Sequence, residues 1–187
     1  MSRFSLILLL LLSGCQLVPV PPTSQVALGA GYYQLSDHWP GPAQQLLQHA
    51  SWSDGQRQHQ FTISALLQPD AMLLVALSPM GQELWRLQYQ RGHQLSLSGI
   101  APFSQPQFAR VLLAQMQLAL FEPQQLQGRL QQLTLQQDEQ RRVLRDNQGM
   151  TVLQINQPGN IAAGQTLTIK TAAYHLQITT LQQDFLP

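Results

Sequence analysis

The chain has a single cysteine, Cys15, in 187 residues. An intrachain disulfide and a site built on several thiolates are therefore excluded, and packing alone must stabilise the fold. Charge is scarce too: 10% of residues are charged, with 10 Lys and Arg against 9 Asp and Glu. A near-neutral chain lacks the basic surface that a nucleic-acid partner requires. Glutamine is abundant instead, so much of the solvated surface is uncharged amide. No stretch reaches the ~20 apolar residues needed to span a bilayer. The G-x-S-x-G elbow, the P-loop and G-x-G-x-x-G are missing, and the acidic residues are scattered over turns rather than paired. The histidines, His38, His49, His59, His93 and His175, show no paired metal-ligand spacing. Neither an enzyme centre nor a metal site is indicated, and no cofactor is expected.

What the chain does have begins at its N-terminus. Arg3 supplies a positive n-region, Leu6 to Leu12 a short apolar h-region, and Ser13-Gly14 the small residues a signal peptidase needs. Leu12-Ser13-Gly14-Cys15 resembles the bacterial lipobox, in which the cysteine is acylated and becomes the first residue of the mature protein. The resemblance implies residues 1–14 as a lipoprotein signal peptide and Cys15 as the lipidation site. Buried acyl chains contribute ~0.8 kcal/mol per CH₂, so two or three of them anchor a protein almost irreversibly. Gln16 stands where an aspartate retains lipoproteins in the inner membrane of many diderm bacteria, which implies sorting to the outer membrane, facing the periplasm. Loss of Arg3 with the signal leaves a formally neutral mature chain.

Residues 15–30 read as the lipidated cysteine and a Pro-rich tether, because Val18-Pro19-Val20-Pro21-Pro22 can form neither helix nor central strand. Residues 31–187 are enough for one domain with a real core. Pro42 is placed to open a short helix through Ala43, Leu46, Leu47 and Ala50. From Gln58 the period becomes two: Phe61, Ile63, Ala65 and Leu67 alternate with polar residues. Met72 to Leu77, Trp85 to Tyr89 and Leu95 to Leu97 continue an antiparallel meander, turning at Pro69-Asp70, Ser78 to Gly81 and Arg91-Gly92. Ser104 precedes Gln107 by three residues, the spacing of a capping box, and a helix should follow through Phe108, Val111, Leu112, Gln115, Met116 and Ala119 until Pro123 bars it. Leu126 suggests one further turn. Five strands are then expected, at Leu130–Leu135, Arg141–Arg145, Thr151–Ile155, Leu167–Thr171 and Tyr174–Thr180. The expected class is mainly β (α+β): a single curved antiparallel sheet or half-open β-barrel whose inner face is covered by helices.

Three features of the stretch from Trp52 to Gly128 resemble LolB, the outer-membrane receptor of lipoprotein sorting. They are the strand Phe61 to Leu67, the run from Leu73 through Ser78-Pro79-Met80-Gly81 to Leu84, and the amphipathic helix ending near Phe121-Glu122-Pro123. The chain also resembles a family of uncharacterised LolB-like lipoproteins, some encoded beside aryl polyene pigment biosynthesis. The resemblance implies a LolA/LolB-like fold with a helical lid over an apolar cavity for acyl chains. It implies as well a membrane-delivery loop at Pro79, Met80 and Gly81, with methionine at the tip where the family usually has leucine. Met80 is flexible enough to dip into lipid, or to fold back onto the strands. Phe61, Ile63 and Leu67, with Trp85, Leu87 and Tyr89, are the candidate cavity-lining residues, although core packing produces the same stripes. The expected function is an outer-membrane-anchored lipoprotein that binds an acyl chain or other lipidic cargo and assists its delivery. Its partners would be the membrane, lipid or lipoprotein acyl chains, and a periplasmic carrier supplying them. The alternative is a structural or assembly lipoprotein that binds a protein partner without lipid.

Overall fold

The computed structural model describes residues 24–101 and 103–187, so the signal peptide, Cys15 and the tether up to residue 23 lie outside the described residues. The strand order begins with β1 (Gln25–Leu28), β2 (Gly31–Gln34), β3 (Gln44–Ser53), β4 (Gln58–Gln68), β5 (Ala71–Leu77), β6 (Glu83–Gln90) and β7 (Gln94–Gly99). Helices α1 (Pro106–Leu120) and α2 (Pro123–Leu126) follow. The chain then returns to strands β8 (Leu130–Gln131), β9 (Leu133–Gln137), β10 (Arg141–Asp146), β11 (Thr151–Asn156), β12 (Thr166–Lys170) and β13 (His175–Phe185).

Ten strands form one antiparallel sheet in the order β7-β6-β5-β4-β3-β13-β12-β11-β10-β9. It consists of two meanders joined where β13 pairs with β3, from His175 opposite Ser53 to Phe185 opposite Gln44. The sheet is not closed into a barrel: β7 and β9 are its two edges. It curves around α1, because inward side chains of β3 to β6 and of β12 and β13 border one space against that helix. The small sheet β1-β2-β8 packs on the opposite side of α1. There the buried Gln117 amide accepts hydrogen bonds from the Tyr33 hydroxyl (3.1 Å) and the Ser36 amide (2.8 Å), and donates to the Ser36 carbonyl (2.7 Å). With both ends of the amide satisfied, a polar group is tolerated in the core.

Four local expectations need correction. The helix expected after Pro42 is strand β3. Its inward positions are Gln44, Leu46, Gln48 and Ala50, all buried. Two of the four are glutamines, held by Gln183 Nε2 donating to Gln44 Oε1 (2.7 Å) and by Gln48 Nε2 donating to Thr180 Oγ1 (3.1 Å). The hydrophobic alternation is thus disguised, and outward Leu47 supplies a false helical spacing. The Ser104 capping box does not form: the N-cap is Gln105 without a side-chain bond, and Pro106 opens the helix, where its missing N–H costs nothing. A capping box occurs at α2 instead, with Glu122 N donating to Gln125 Oε1 (2.8 Å). The strand expected over Leu130–Leu135 is split into β8 and β9 at Gln132, which adopts φ 57°. The last residues of the span read as tether, Gln25–Leu28, are strand β1, paired with β2.

The C-terminus of α1 is held by tertiary contacts. Arg142 of β10 is 2% exposed, and its Nη1 donates to the carbonyls of Leu118 and of Phe121, the latter at 3.0 Å. Gly159 N donates to the Ala119 carbonyl (2.7 Å). These donors satisfy carbonyls that every helix leaves without partners. The last turn carries no basic residue of its own, so the compensating positive charge comes from β10.

Candidate functional site

Ala65 on β4 lies between Leu46 of β3 and Leu74 of β5 in the sheet register, and its short side chain leaves a hollow in the inner face. Ala119 on α1 borders the same hollow. The result is a slot between sheet and helix with an empty volume of about 540 Å³, its opening to solvent included; the centre of a water molecule fits in about 40 Å³ of it. Its floor is Leu46, Ile63, Ala65, Leu67, Leu74 and Trp85, one side is Leu167, Ile169, Leu176 and Ile178, and its roof is the α1 stripe Leu112, Gln115, Met116, Ala119 and Leu120. This stripe follows from the 3.6-residue period of the helix. Leu112, Met116, Leu120 and Ile178 are only half-buried and mark where the slot opens, between α1 and the β12-β13 side of the sheet.

Gln48 and Gln115 are the polar side chains bordering the slot. Gln115 Nε2 donates to the Tyr174 hydroxyl, which joins α1 to the turn between β12 and β13. Burial pushes the Tyr174 phenol above its ordinary range, and the Gln115 bond opposes that shift. Trp52 lies against Tyr174, ring centroids 6.1 Å apart, and against His59 at 5.6 Å. Among the described residues, no three His, Cys, Asp or Glu side chains come together as a metal site would require.

Of the six candidate lining residues, Ile63, Leu67 and Trp85 border the slot and the other three do not. Leu87 and Tyr89 share the inward face of β6 and are as fully buried as Leu67 and Trp85, but they lie further along the strand, beyond the slot. Tyr89 is tied up further by its hydroxyl, 2.7 Å from His93 Nδ1, and burial raises its pKa well beyond the ordinary phenol. Phe61 lies on the correct face of β4 but two residues beyond Ile63, half-buried toward the end where Trp52 pairs with His59. Alternation identifies a face; it does not say where along that face the covering helix leaves space. Sequence reading missed the contributions of β3, β12 and β13, because only pairing of β13 with β3 brings those strands beside the meander.

The expected delivery loop is a three-residue hairpin connection. Ser78 N donates to the Gln82 carbonyl (2.8 Å), and Gly81 N to the Ser78 carbonyl (2.9 Å). Pro79 takes the position of the turn that favours a fixed φ, and Gly81 takes the left-handed one at φ 79°. Met80 at the tip is 94% exposed, so it projects into solvent and does not fold back onto the strands. Ile100, 48% exposed, lies at the same end, its amide bonded to the Leu84 carbonyl at 3.0 Å. The turns after β3 and after β12 share this end by register. The chain enters the described fold at the opposite end. Ser24 accepts from Leu35 N (2.7 Å), and the segment after β2 bonds to the turns at Pro69 and Gly92. Among the described residues no helix is long and apolar enough to cross a membrane.

A family model described as a protein of unknown function (DUF3261) matches residues 45–182. That span covers the slot and the Met80 loop. No curated protein matches the chain.

Proposed function

The chain belongs to the DUF3261 family, and from that premise we propose that this member is a lipid-anchored, LolB-like carrier or acceptor of acyl chains facing the periplasm. In this reading the ten-stranded sheet with α1 as its lid is a half-open barrel, Cys15 carries the anchor to the outer membrane, and a periplasmic carrier supplies the cargo. The observation that supports it is the slot, which is apolar apart from two amides and lies between a curved sheet and a single helix. Sites for small molecules commonly enclose ~300–1,000 Å³ and are lined by apolar groups with a few polar ones. The enclosed space here, about 40 Å³, falls well short of that range. Binding therefore requires α1 to move outward. The arrangement suits this motion: the C-terminal half of α1 is held by Arg142, Gln117 and the Gly159 amide, whereas its N-terminal half is held by apolar contacts such as Phe108 against Trp85, centroids 5.7 Å apart.

The direct test is titration of purified protein carrying Cys15→Ser with a fluorescent fatty acid, together with mass spectrometry of what extracts with it. Saturable binding at one site is expected, with a long-chain lipid in the extract; no binding at any concentration up to the solubility of the fatty acid would sink the proposal. Met80→Asp separates binding from delivery. The residue is 94% exposed, so stability and fatty-acid binding stay within twofold of the parent, while transfer of bound fatty acid to vesicles slows by about tenfold or more, as expected when a charge must enter the bilayer interior at a cost of ~2–3 kcal/mol. An unchanged transfer rate would show that the tip has no part in delivery.

A further inference from the structure

The run from Met72 to Leu77 is apolar on both faces of β5, as strands are when both faces are covered. Here only one face is. Met72, Leu74 and Ala76 are buried inward, while Leu73, Val75 and Leu77 lie half-buried on the outer face, outside the core. The register widens the outer stripe into a patch. Leu66 is opposite Leu73, Ser64 joins Val75 to Leu47, and Gln182 joins Leu47 to the bulge at Leu181. Leu47 is 38% and Leu181 54% exposed. The patch crosses four neighbouring strands, and the β5 stripe runs on into the Met80 hairpin. Its rim is amide: Gln45, Gln88 and Gln182. The charged groups beside it are already engaged, Arg86 with Glu83 at 2.7 Å and Asp184 with Gln182 at 2.7 Å. Contiguous exposed apolar surface of this kind marks an interaction site.

We propose that this outer face of β3, β4, β5 and β13 rests on the phospholipid bilayer, so that the domain lies flat on the membrane with the Met80 hairpin at the leading end of the contact. The inference rests on the reading of Cys15 as the acylated anchor, and the length of the anchor segment argues for it. Cys15 precedes Ser24 by nine residues, a reach of at most about 30 Å at ~3.3–3.6 Å per residue. Standing the domain on Met80 puts the whole length of β5 between the bilayer and the end where the chain enters. The eleven residues from Asp70 to Met80 span roughly 30 Å, which uses all of that reach. Lying on the outer face asks less. Ser24 belongs to the β1-β2 layer, which α1 separates from β3, β4 and β5, and layers stacked about 10 Å apart place it roughly 20 Å above those strands. Confinement by the anchor also keeps the bilayer at high effective concentration, so a patch of modest area suffices to orient the domain.

The test uses the full acylated chain in vesicles of phosphatidylethanolamine and phosphatidylglycerol. Because Cys15 is the only native cysteine and is capped in the acylated form, nitroxide labels can be placed singly through Gln45→Cys and Gln182→Cys on the outer face and Ala27→Cys on β1. Expected is a label at 45 or 182 that collides more with oxygen than with a water-soluble nickel complex, and a label at 27 that stays in water. Adding Leu47→Gln and Leu181→Gln should remove at least half of that preference while leaving the thermal midpoint within about two degrees. All three labels remaining in water, or immersion of 27 alone, overturns the proposal. So does spin–spin broadening at 45 and 182 without immersion, which would assign the face to a second copy of the chain. Fatty-acid binding measured on the same samples keeps the two readings apart: binding without immersion removes only the flat orientation, and immersion without binding removes only the cargo.

Discussion

Arg142→Ala lowers the stability of the fold by about 3–5 kcal/mol, because it removes the donors on which the C-terminus of α1 depends. The guanidinium is 2% exposed and bonds to the carbonyls of Leu118 and Phe121, while its Nε donates to Gln137 Oε1 at 2.8 Å. Leaving a buried acceptor without a partner costs ~1–3 kcal/mol. Two such carbonyls are stripped together, and the positive charge opposing the negative end of the helix dipole goes with them. Burial lowers the pKa of Arg142 from its ordinary value, but arginine keeps its charge at any pH at which the protein is handled. The bonds therefore persist across the working range. For a chain of this length the loss corresponds to a thermal midpoint roughly 10 °C lower. Arg142→Lys should recover only part of it, since one ammonium on a shorter stem cannot reproduce the planar fork. Calorimetry of the two variants checks this, and a fall of less than about 1 kcal/mol for the alanine would show that other donors or water replace the guanidinium. The same clamp sets how closely α1 lies over the sheet, so its effect reaches the slot as well as the stability.

Ala65→Leu should abolish fatty-acid binding while leaving the fold intact. Ala65 is 2% exposed, at the centre of the slot floor between Leu46 and Leu74. Three added carbons project into space that the native side chains do not fill. Overpacking a well-filled core costs ~1–3 kcal/mol; occupying an existing void offsets that cost through new contacts, so stability should change by less than about 1 kcal/mol. A cargo chain would then have to displace a covalently attached occupant, and binding should weaken by a hundredfold or more. The informative outcome is the pairing of the two results. Binding retained with normal stability places the cargo elsewhere, whereas a loss of several kcal/mol shows that the slot behaves as ordinary core. Together with Arg142→Ala, this variant tests the helix and the sheet as separate walls of one space.

Much of the fold was legible in the residues. The meander from Gln58 to Gly99 is written in a two-residue alternation, with Pro69-Asp70, Pro79-Met80-Gly81 and Arg91-Gly92 marking its turns. Helix α1 is written in a 3.6-residue stripe ended by Pro123. Both signals are local, because the side-chain direction of each residue follows from its own backbone. Strand β3 was illegible because Gln44 and Gln48 point inward. Burying an amide is acceptable only when a distant partner satisfies it, and Gln183 and Thr180 are more than a hundred residues away in sequence.

By itself, then, the amino-acid sequence determined the mainly β class, the order of most elements, the Met80 hairpin tip and the two apolar faces of β5. Tertiary structure decided that β13 closes onto β3, that of five buried inward residues Ile63, Leu67 and Trp85 border the slot while Leu87 and Tyr89 do not, and that Met80 projects into solvent at the end opposite the point where the chain enters. Periodicity reports which way a side chain points, a property of one strand. Whether it meets another side chain, open space or water depends on what the rest of the chain places opposite, and here that is one helix held above Ala65 by an arginine from β10.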